Sequence, residues 1–264
     1  MPAIAIFGIT GRMGQSLVRA LRDTQDLTLS GAIASADSGR LGQDAAADGE
    51  PTGILITSDV QRGIRGASVA VDFSLGGCVA AHCHACAAAG VPLLVGVTGF
   101  DPATLAVIER AATEIPVLIA PNTSVGVSIV AKLVSIAAQG LGSAYDVEIV
   151  EAHHRMKRDA PSGTALALGQ AVAEGRAQSL HDVAAFDRAA QGLARAPGSI
   201  GFASIRAGDI VGEHTVIFAA AGERVEITHR ATDRNTFARG ALRAADWLAR
   251  QPAGLYRMQN VLGL

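Results

Sequence analysis

At 264 residues the chain is long enough for one large domain or two modest ones, each with a substantial core. Its 49% apolar and 17% charged content excludes a disordered polymer, and only 4% aromatic residues leaves core building to Ala, Val, Leu and Ile. A formal net charge of -2 removes any long-range pull toward nucleic acid or an anionic membrane, so the expected partner is a small molecule, held by a local basic patch if it is an anion.

Cys78, Cys83 and Cys86 are the three cysteines, and they lie too close together to frame a chain this size with disulfides, which points to a reducing, cytoplasmic setting. The opening MPAIAIFGIT has neither the basic flank nor the long apolar run of a secretory signal and reads as a first strand. From Ser74 to Phe100 there is no Asp, Glu, Lys or Arg. Gly90 and Pro92 divide that stretch, however, and neither half reaches the ~20 residues of a membrane-spanning helix. Burial in an α/β layer explains it better.

Short β-branched runs punctuate the first half: Ile4–Phe7, Leu27–Ile33, Ile54–Ile56, Val69–Phe73, Leu93–Val97 and Val117–Ala120. Crossover helices fit between them, such as Gly14–Arg22 with Leu17, Val18 and Leu21 on one face, and Pro102–Thr113 with Leu105, Ile108 and Ala112. This alternation predicts a doubly wound parallel sheet. After Asn122 the rhythm changes to a helix near Val127–Leu141, a strand near Val147–Ala152, a polar motif and a helix from about Gly163. Ile200–Arg206, Glu213–Phe218 and Arg224–Thr228 then read as consecutive strands joined by AGD and AGE turns, giving an open, mostly antiparallel or mixed sheet. Phe237–Leu248 is the last expected helix.

The first strand runs into GITGRMG, with Gly8, Gly11 and Gly14 at GxxGxxG spacing, and then directly into an amphipathic helix. Glycines let a loop backbone approach a pyrophosphate, and the following helix N-terminus offers N–H groups and a positive dipole end. Thr10 stands where a stricter GxGxxG pattern has its middle glycine, and a tight turn with close helix packing would need no nucleotide. The second strand ends GAIASADSGR, with Ala34 and Ser35 where an acidic ribose contact is usual; Arg40 could meet a 2′-phosphate or be solvated, so NADH and NADPH both stay open. The fold class is therefore read as α/β, an N-terminal Rossmann-like doubly wound parallel sheet with a second α+β domain built on an open mixed sheet.

Glu151–Thr164, EAHHRMKRDAPSGT, gathers two histidines, two arginines, a lysine, two acids and two hydroxyls at a strand-to-helix junction. Pro161, Ser162 and Gly163 make a sharp entry to the Thr164–Ala173 helix, whose N-terminal amides suit a carboxylate with help from the Thr164 hydroxyl. Lys157 adds a point charge. His153 and His154, neighbours at a strand end, point to opposite sides and suit separate roles rather than one metal. No HExxH or comparable spacing supports zinc, and no metal is expected. A capped helix after a solvated basic turn is the bland alternative.

This segment closely resembles the signature of the 4-hydroxy-tetrahydrodipicolinate reductase (dihydrodipicolinate reductase) family, and the resemblance extends to GITGRMG at Gly8, VDFS at Val71, GVTGF at Gly96, APNTSVGV at Ala120, GSIGFASIRAGDIVGEHTV at Gly198 and ERVEITHRA at Glu223. The resemblance implies a lysine- and diaminopimelate-route enzyme in which NADH or NADPH delivers hydride to a cyclic imine bearing two carboxylates. It implies His153 and Lys157 as proton-transfer residues and His154, Gly163 and Thr164 as substrate contacts. Its cofactor contacts fall on Gly8, Ile9, Thr10, Gly11, Arg12 and Met13, on Gly96, Val97 and Thr98, and on Ala120, Pro121, Asn122 and Thr123. A dinucleotide-binding domain of residues 1–123 and 234–264, a substrate-binding and oligomerisation domain of residues 124–233, hinge closure and a homotetramer follow from the same resemblance. Ala34-Ser35 departs from the acidic-then-basic pair of many relatives.

Three other groupings carry bland readings. His82, Cys83, His84 and Cys86 suggest a metal or redox site but share an Ala-rich helix with no second ligand cluster. His214 and His229 read as hydrogen-bonded structural histidines. Trp247, Tyr256, Arg250 and Arg257 read as helix packing and a solvated face.

Overall fold

The computed structural model describes residues 1–24, 26–187 and 194–264. The chain forms two compact units, Met1–Val125 with Asn235–Leu264, and Gly126–Arg234.

The first unit opens with β1 (Ala3–Phe7), α1 (Arg12–Arg22), β2 (Thr28–Ile33), α2 (Val60–Ile64), β3 (Val69–Asp72), α3 (Val79–Ala89), β4 (Leu93–Val95), α4 (Pro102–Ala111) and β5 (Pro116–Ile119). The chain then enters the second unit with α5 (Val125–Leu141), β6 (Asp146–His153), α6 (Gly163–Gly175), α7 (Leu180–Val183), β7 (Ala184–Ala185), β8 (Ile200–Arg206), β9 (Gly212–Ala220) and β10 (Glu223–Ala231). It returns to the first with α8 (Asn235–Leu248), β11 (Gly254–Tyr256) and α9 (Met258–Leu262).

Six parallel strands make the first sheet, in the order β11-β5-β4-β3-β1-β2. Every residue of β3, β4 and β5 is buried, as expected for a parallel sheet covered on both faces. Alternation divides the side chains: Ile4, Ile6, Val71, Leu94 and Leu118 pack with α1 and α8, whereas Ala5, Phe7, Ala70, Leu93 and Val117 pack with α3 and α4. Local signals set the helix ends. Asp101 accepts from the Thr104 N–H at 2.7 Å just before Pro102, and Gly90 closes α3 at φ +65°.

Ile54–Ile56 is not a strand. Only single bridges form there, Ile33 to Thr57 and Asp44 to Leu55, because the loop is stitched to itself instead: Asp44 accepts from the Thr52 and Gly53 N–H groups at 3.0 and 2.8 Å. Arg40 belongs to this stitching, donating to the carbonyls of Asp44 and Ala46 at 2.8 and 2.9 Å. At the other edge, β11 pairs with β5 and sets Tyr256 edge-on to Trp247 at 5.2 Å. Its three residues are too short a run to stand out as a strand in the sequence.

The second sheet runs β10-β9-β6-β8-β7. β8 and β9 follow one another in sequence yet do not pair, because β6 lies between them, parallel to β8 and antiparallel to β9. Among the described residues only β9 and β10 form a hairpin. Val147, Ile149, Val216, Phe218 and Ile200 pack with α5 and α6 through Val134, Ala138, Leu168 and Val172. Residues 125–144, α5 with the turn after it, are long and apolar enough to cross a membrane by composition, but Val134 and Ala138 anchor this helix in the unit's core.

Candidate active site

The cofactor end is built from backbone. Strand order reverses between β2 and β3 around β1, the switch point at whose carboxyl ends an open α/β sheet holds ligands. Gly8 sits there at φ +73°, and a Cβ on it would lie 2.7 Å from the Phe73 carbonyl oxygen. One on Gly14 would lie 2.5 Å from the Gly8 oxygen, so both glycines are required by the turn itself. Gly11 caps α1 without any side-chain bond, and no acid occupies the helix's first turn, leaving this N-terminus suited to an anion. Beside it opens a cleft of about 390 Å³ bounded by Phe7, Gly8, Ile33, Ala34, Phe73 and His82. These features fit a dinucleotide.

Gly96 and Val97 follow β4, where the Gly96 N–H donates to the Asp72 carbonyl at 2.8 Å and a Cβ would strike the Phe73 ring at 2.1 Å. Thr98 is exposed. After β5, Thr123 is buried and its hydroxyl donates to the Phe237 carbonyl at 2.7 Å, and Asn122 Oδ1 accepts from the Ser124 N–H at 2.8 Å. All three glycine-bearing or polar segments expected near the cofactor thus occupy strand ends of one sheet.

The chemical end is built from side chains. Residues 151 and 153 share one face of β6, and the His153 Nδ1 lies 2.5 Å from Glu151 Oε2. Glu151 is fully buried and meets Arg206 twice, at 2.7 and 2.8 Å, while its Oε1 also accepts from the Ser162 N–H at 3.2 Å. Burial alone would raise this carboxyl, but Arg206, Ser204 and His153 hold it at about 2. An ionised carboxylate only accepts, so Nδ1 carries the hydrogen and Nε2 is left for chemistry. Gly212 makes room at that edge, since a Cβ there would lie 3.1 Å from His153 Nε2.

Burial is the main influence lowering the His153 pKa, helped by the charges of Lys157 and Arg206 and opposed by Glu151. His214 stands edge-on to it at 5.1 Å, bonded through Nε2 to the Ser162 hydroxyl at 2.9 Å, and burial followed by the His153 charge pushes its pKa down to about 4. Ser162 also caps α6, accepting from the Ala165 N–H at 3.2 Å. Lys157 is half-buried and paired with exposed Asp159 at 2.8 Å. His154 and Thr164 are half-buried and Gly163 is exposed, with open space where its Cβ would be.

Sequence reasoning gave no role to Glu151 or Arg206, and it gave Ser162 only the entry to α6, not its bond to His214. The two-residue spacing of Glu151 and His153 was a readable signal for the first; Arg206 joins only because β8 pairs with β6 in a register that places it opposite His153. On α3, Cys83 and Cys86 are buried in the core, and among the described residues no group of three or more His, Cys, Asp or Glu could hold a metal ion.

Two family descriptions match the chain, "Dihydrodipicolinate reductase, N-terminus" over residues 2–123 and "Dihydrodipicolinate reductase, C-terminus" over residues 126–262. The chain belongs to the dihydrodipicolinate reductase family. It is accordingly an oxidoreductase. The 4-hydroxy-tetrahydrodipicolinate reductase of Anaeromyxobacter dehalogenans strain 2CP-1 is 49% identical over 266 residues, covering 100% of this chain and 98% of that protein. That of Herminiimonas arsenicoxydans is 48% identical, covering 99% and 98%. Among solved structures, a dipicolinate-bound dihydrodipicolinate reductase from Paenisporosarcina sp. TG-14 shares the fold at a TM-score of 0.74 and 23% identity, with 97% of each chain covered. The amine dehydrogenase of Mycobacterium smegmatis shares it at 0.63 and 12%, covering 96% and 94%.

Proposed function

We propose that this chain reduces 4-hydroxy-tetrahydrodipicolinate, through dihydrodipicolinate, to tetrahydrodipicolinate, with NADH or NADPH as the reductant and His153 and Lys157 as the proton-transfer residues. Family membership supports the reaction, and the observation that carries the residue roles is the buried Glu151–His153 pair beside Lys157. A bound nicotinamide supplies hydride to the conjugated ring. Hydride addition would leave an enamine that needs a proton, and His153, its Nδ1–H directed at Glu151, would deliver one from Nε2 after that nitrogen has taken up a proton from solvent, the resulting imidazolium being stabilised by the Glu151 carboxylate. Lys157 contributes positive charge for a substrate carboxylate, exchanging Asp159 for it, and His154, Gly163 and Thr164 at the start of α6 hold the substrate. Cofactor contacts are assigned to Gly8, Ile9, Thr10, Gly11, Arg12 and Met13, to Gly96, Val97 and Thr98, and to Ala120, Pro121, Asn122 and Thr123. The first unit then serves the dinucleotide and the second the substrate. A cytoplasmic homotetramer is part of the same reading, supported by three free thiols and by Ile205 and Val225 exposed on the second sheet.

The test follows NADH and NADPH oxidation at the nicotinamide absorbance with freshly generated substrate. Turnover in the native chain, lowered by about 10²- to 10⁴-fold in His153→Ala and in Lys157→Ala with cofactor binding retained, is the expected result. No turnover despite cofactor binding would sink the assignment. Sedimentation measures the assembly.

A further inference from the structure

His82 was set aside as a weak metal candidate, yet the fold puts it in the first turn of α3, in the wall of the cofactor cleft. Its ring stacks on Phe7 at 4.0 Å between centroids and 17° between planes, and Nδ1 lies 2.7 Å from Asp72 Oδ2. Asp72 ends β3 fully buried, with Oδ1 accepting from the Ser74 N–H at 2.8 Å. The imidazole is therefore fixed twice, in plane by the stack and in rotation by the carboxylate. Because the carboxylate accepts, Nδ1 carries the hydrogen; in the neutral ring Nε2 is then an acceptor, and it has no hydrogen-bond partner among the described residues.

The rest of this cleft has the shape of a base-binding pocket. Ile33, Ala34 and Val60 line it on the β2 side and Phe73 and Leu75 on the β3 side, while the Gly8–Gly11 turn borders it. In a doubly wound sheet the pyrophosphate lies at that turn and the ribose at the end of β2, so the base attached to that ribose falls in the apolar cleft beyond. Adenine presents there an exocyclic amine that needs an acceptor. Leaving it unpaired in an apolar pocket costs about one hydrogen bond.

We propose that His82, held by Asp72 and Phe7, binds the adenine base of the dinucleotide by accepting a hydrogen bond from its exocyclic amine. This rests on the dinucleotide reading above. The assignment also gives the cleft a base contact common to NADH and NADPH, which matters in a chain whose β2 end offers only Ala34 and Ser35.

Calorimetric binding of NADH, NADPH and ADP-ribose to the full chain tests it, comparing the native protein with His82→Ala and with His82→Phe, which keeps a ring on Phe7 but no acceptor. Turnover with reduced nicotinamide mononucleotide, which lacks adenosine, serves as the control. The expected result is that Kd rises about tenfold for all three ligands in both variants, the scale of one buried hydrogen bond, with mononucleotide turnover unchanged even though the thermal midpoint falls because buried Asp72 loses its partner. Unchanged Kd values would overturn the proposal. So would a loss confined to NADPH, which would make His82 a 2′-phosphate contact, or an equal loss with the mononucleotide, which would make it structural. Native protein that binds none of the dinucleotides would instead refute the underlying reading.

Discussion

The candidate sites of the two units are built in opposite ways. At the end of the parallel sheet the site is made by leaving atoms out: Gly8, Gly14 and Gly96 each sit where a Cβ would collide with backbone or with Phe73. On the mixed sheet it is made by putting charge in, with Glu151 buried under Arg206, His153 and the Ser162 N–H. A site of the first kind is damaged by adding a methyl group; one of the second kind is damaged by removing a charge.

Glu151→Gln should give the largest effect. It leaves Arg206 facing an uncharged amide and should lower unfolding free energy in urea by about 3 kcal/mol, the lower end for breaking a buried pair, since Arg206 keeps some access to water. The basic limb of the kcat profile should move further below its native position, because Glu151 is what raises the His153 pKa against burial, Lys157 and Arg206. A variant as stable as the native chain would show that the network is not a stabilising element.

Gly14→Ala should come next. The new Cβ must push apart Gly8 and Ile9 backbone atoms 2.5 to 2.6 Å away, an overpacking cost of about 1–3 kcal/mol. Calorimetry should show weaker dinucleotide binding with no change in the affinity of a dicarboxylate such as dipicolinate. Loss of both would contradict the proposed division of labour between the units.

The smallest effect is a divergence in pH response. His214 has its pKa pushed down to about 4 by burial, so the unfolded chain binds more protons below 6.5, and the stability this group contributes is lost as pH falls from 6.5 through 4. Glu151, held at about 2, adds a loss as pH falls from 4.5 toward 2. In the first unit the sign is reversed: burial pushes the Cys83 thiol up to about 12, so its contribution is complete below 9 and is lost as pH rises through 12. Hydrogen exchange resolved by segment should find β6 and β9 loosening first in acid and α3 first in alkali. The same order at both extremes would refute the contrast.

Legibility also differed between the units. Five strands of the parallel sheet announce themselves as apolar runs because both faces are buried, and GITGRMG reveals its purpose because a turn that tight admits only glycine at Gly8. Ile54–Ile56 shows the limit of that signal: the run is apolar, but the loop's own hydrogen bonds satisfy its backbone without a ladder. In the second unit β6, β8, β9 and β10 were visible by themselves, while two-residue β7 and the pairing were not. Consecutive β8 and β9 look like a hairpin, and only the assembled sheet shows β6 between them.

What the sequence determined by itself was therefore local: the strand and helix periods, the glycine turn, the capped entry to α6, and through the EAHHRMKRDAPSGT resemblance the family, with His153 and Lys157 as the proposed proton-transfer residues. Tertiary structure decided who their partners are. Arg206 reaches Glu151, His214 reaches Ser162, and Asp72 reaches His82 across 55, 52 and 10 residues of chain. The reason is physical: side-chain alternation is written every two residues along a strand, but register and neighbour order depend on the packing of whole faces, and charge networks form only where that packing brings them together.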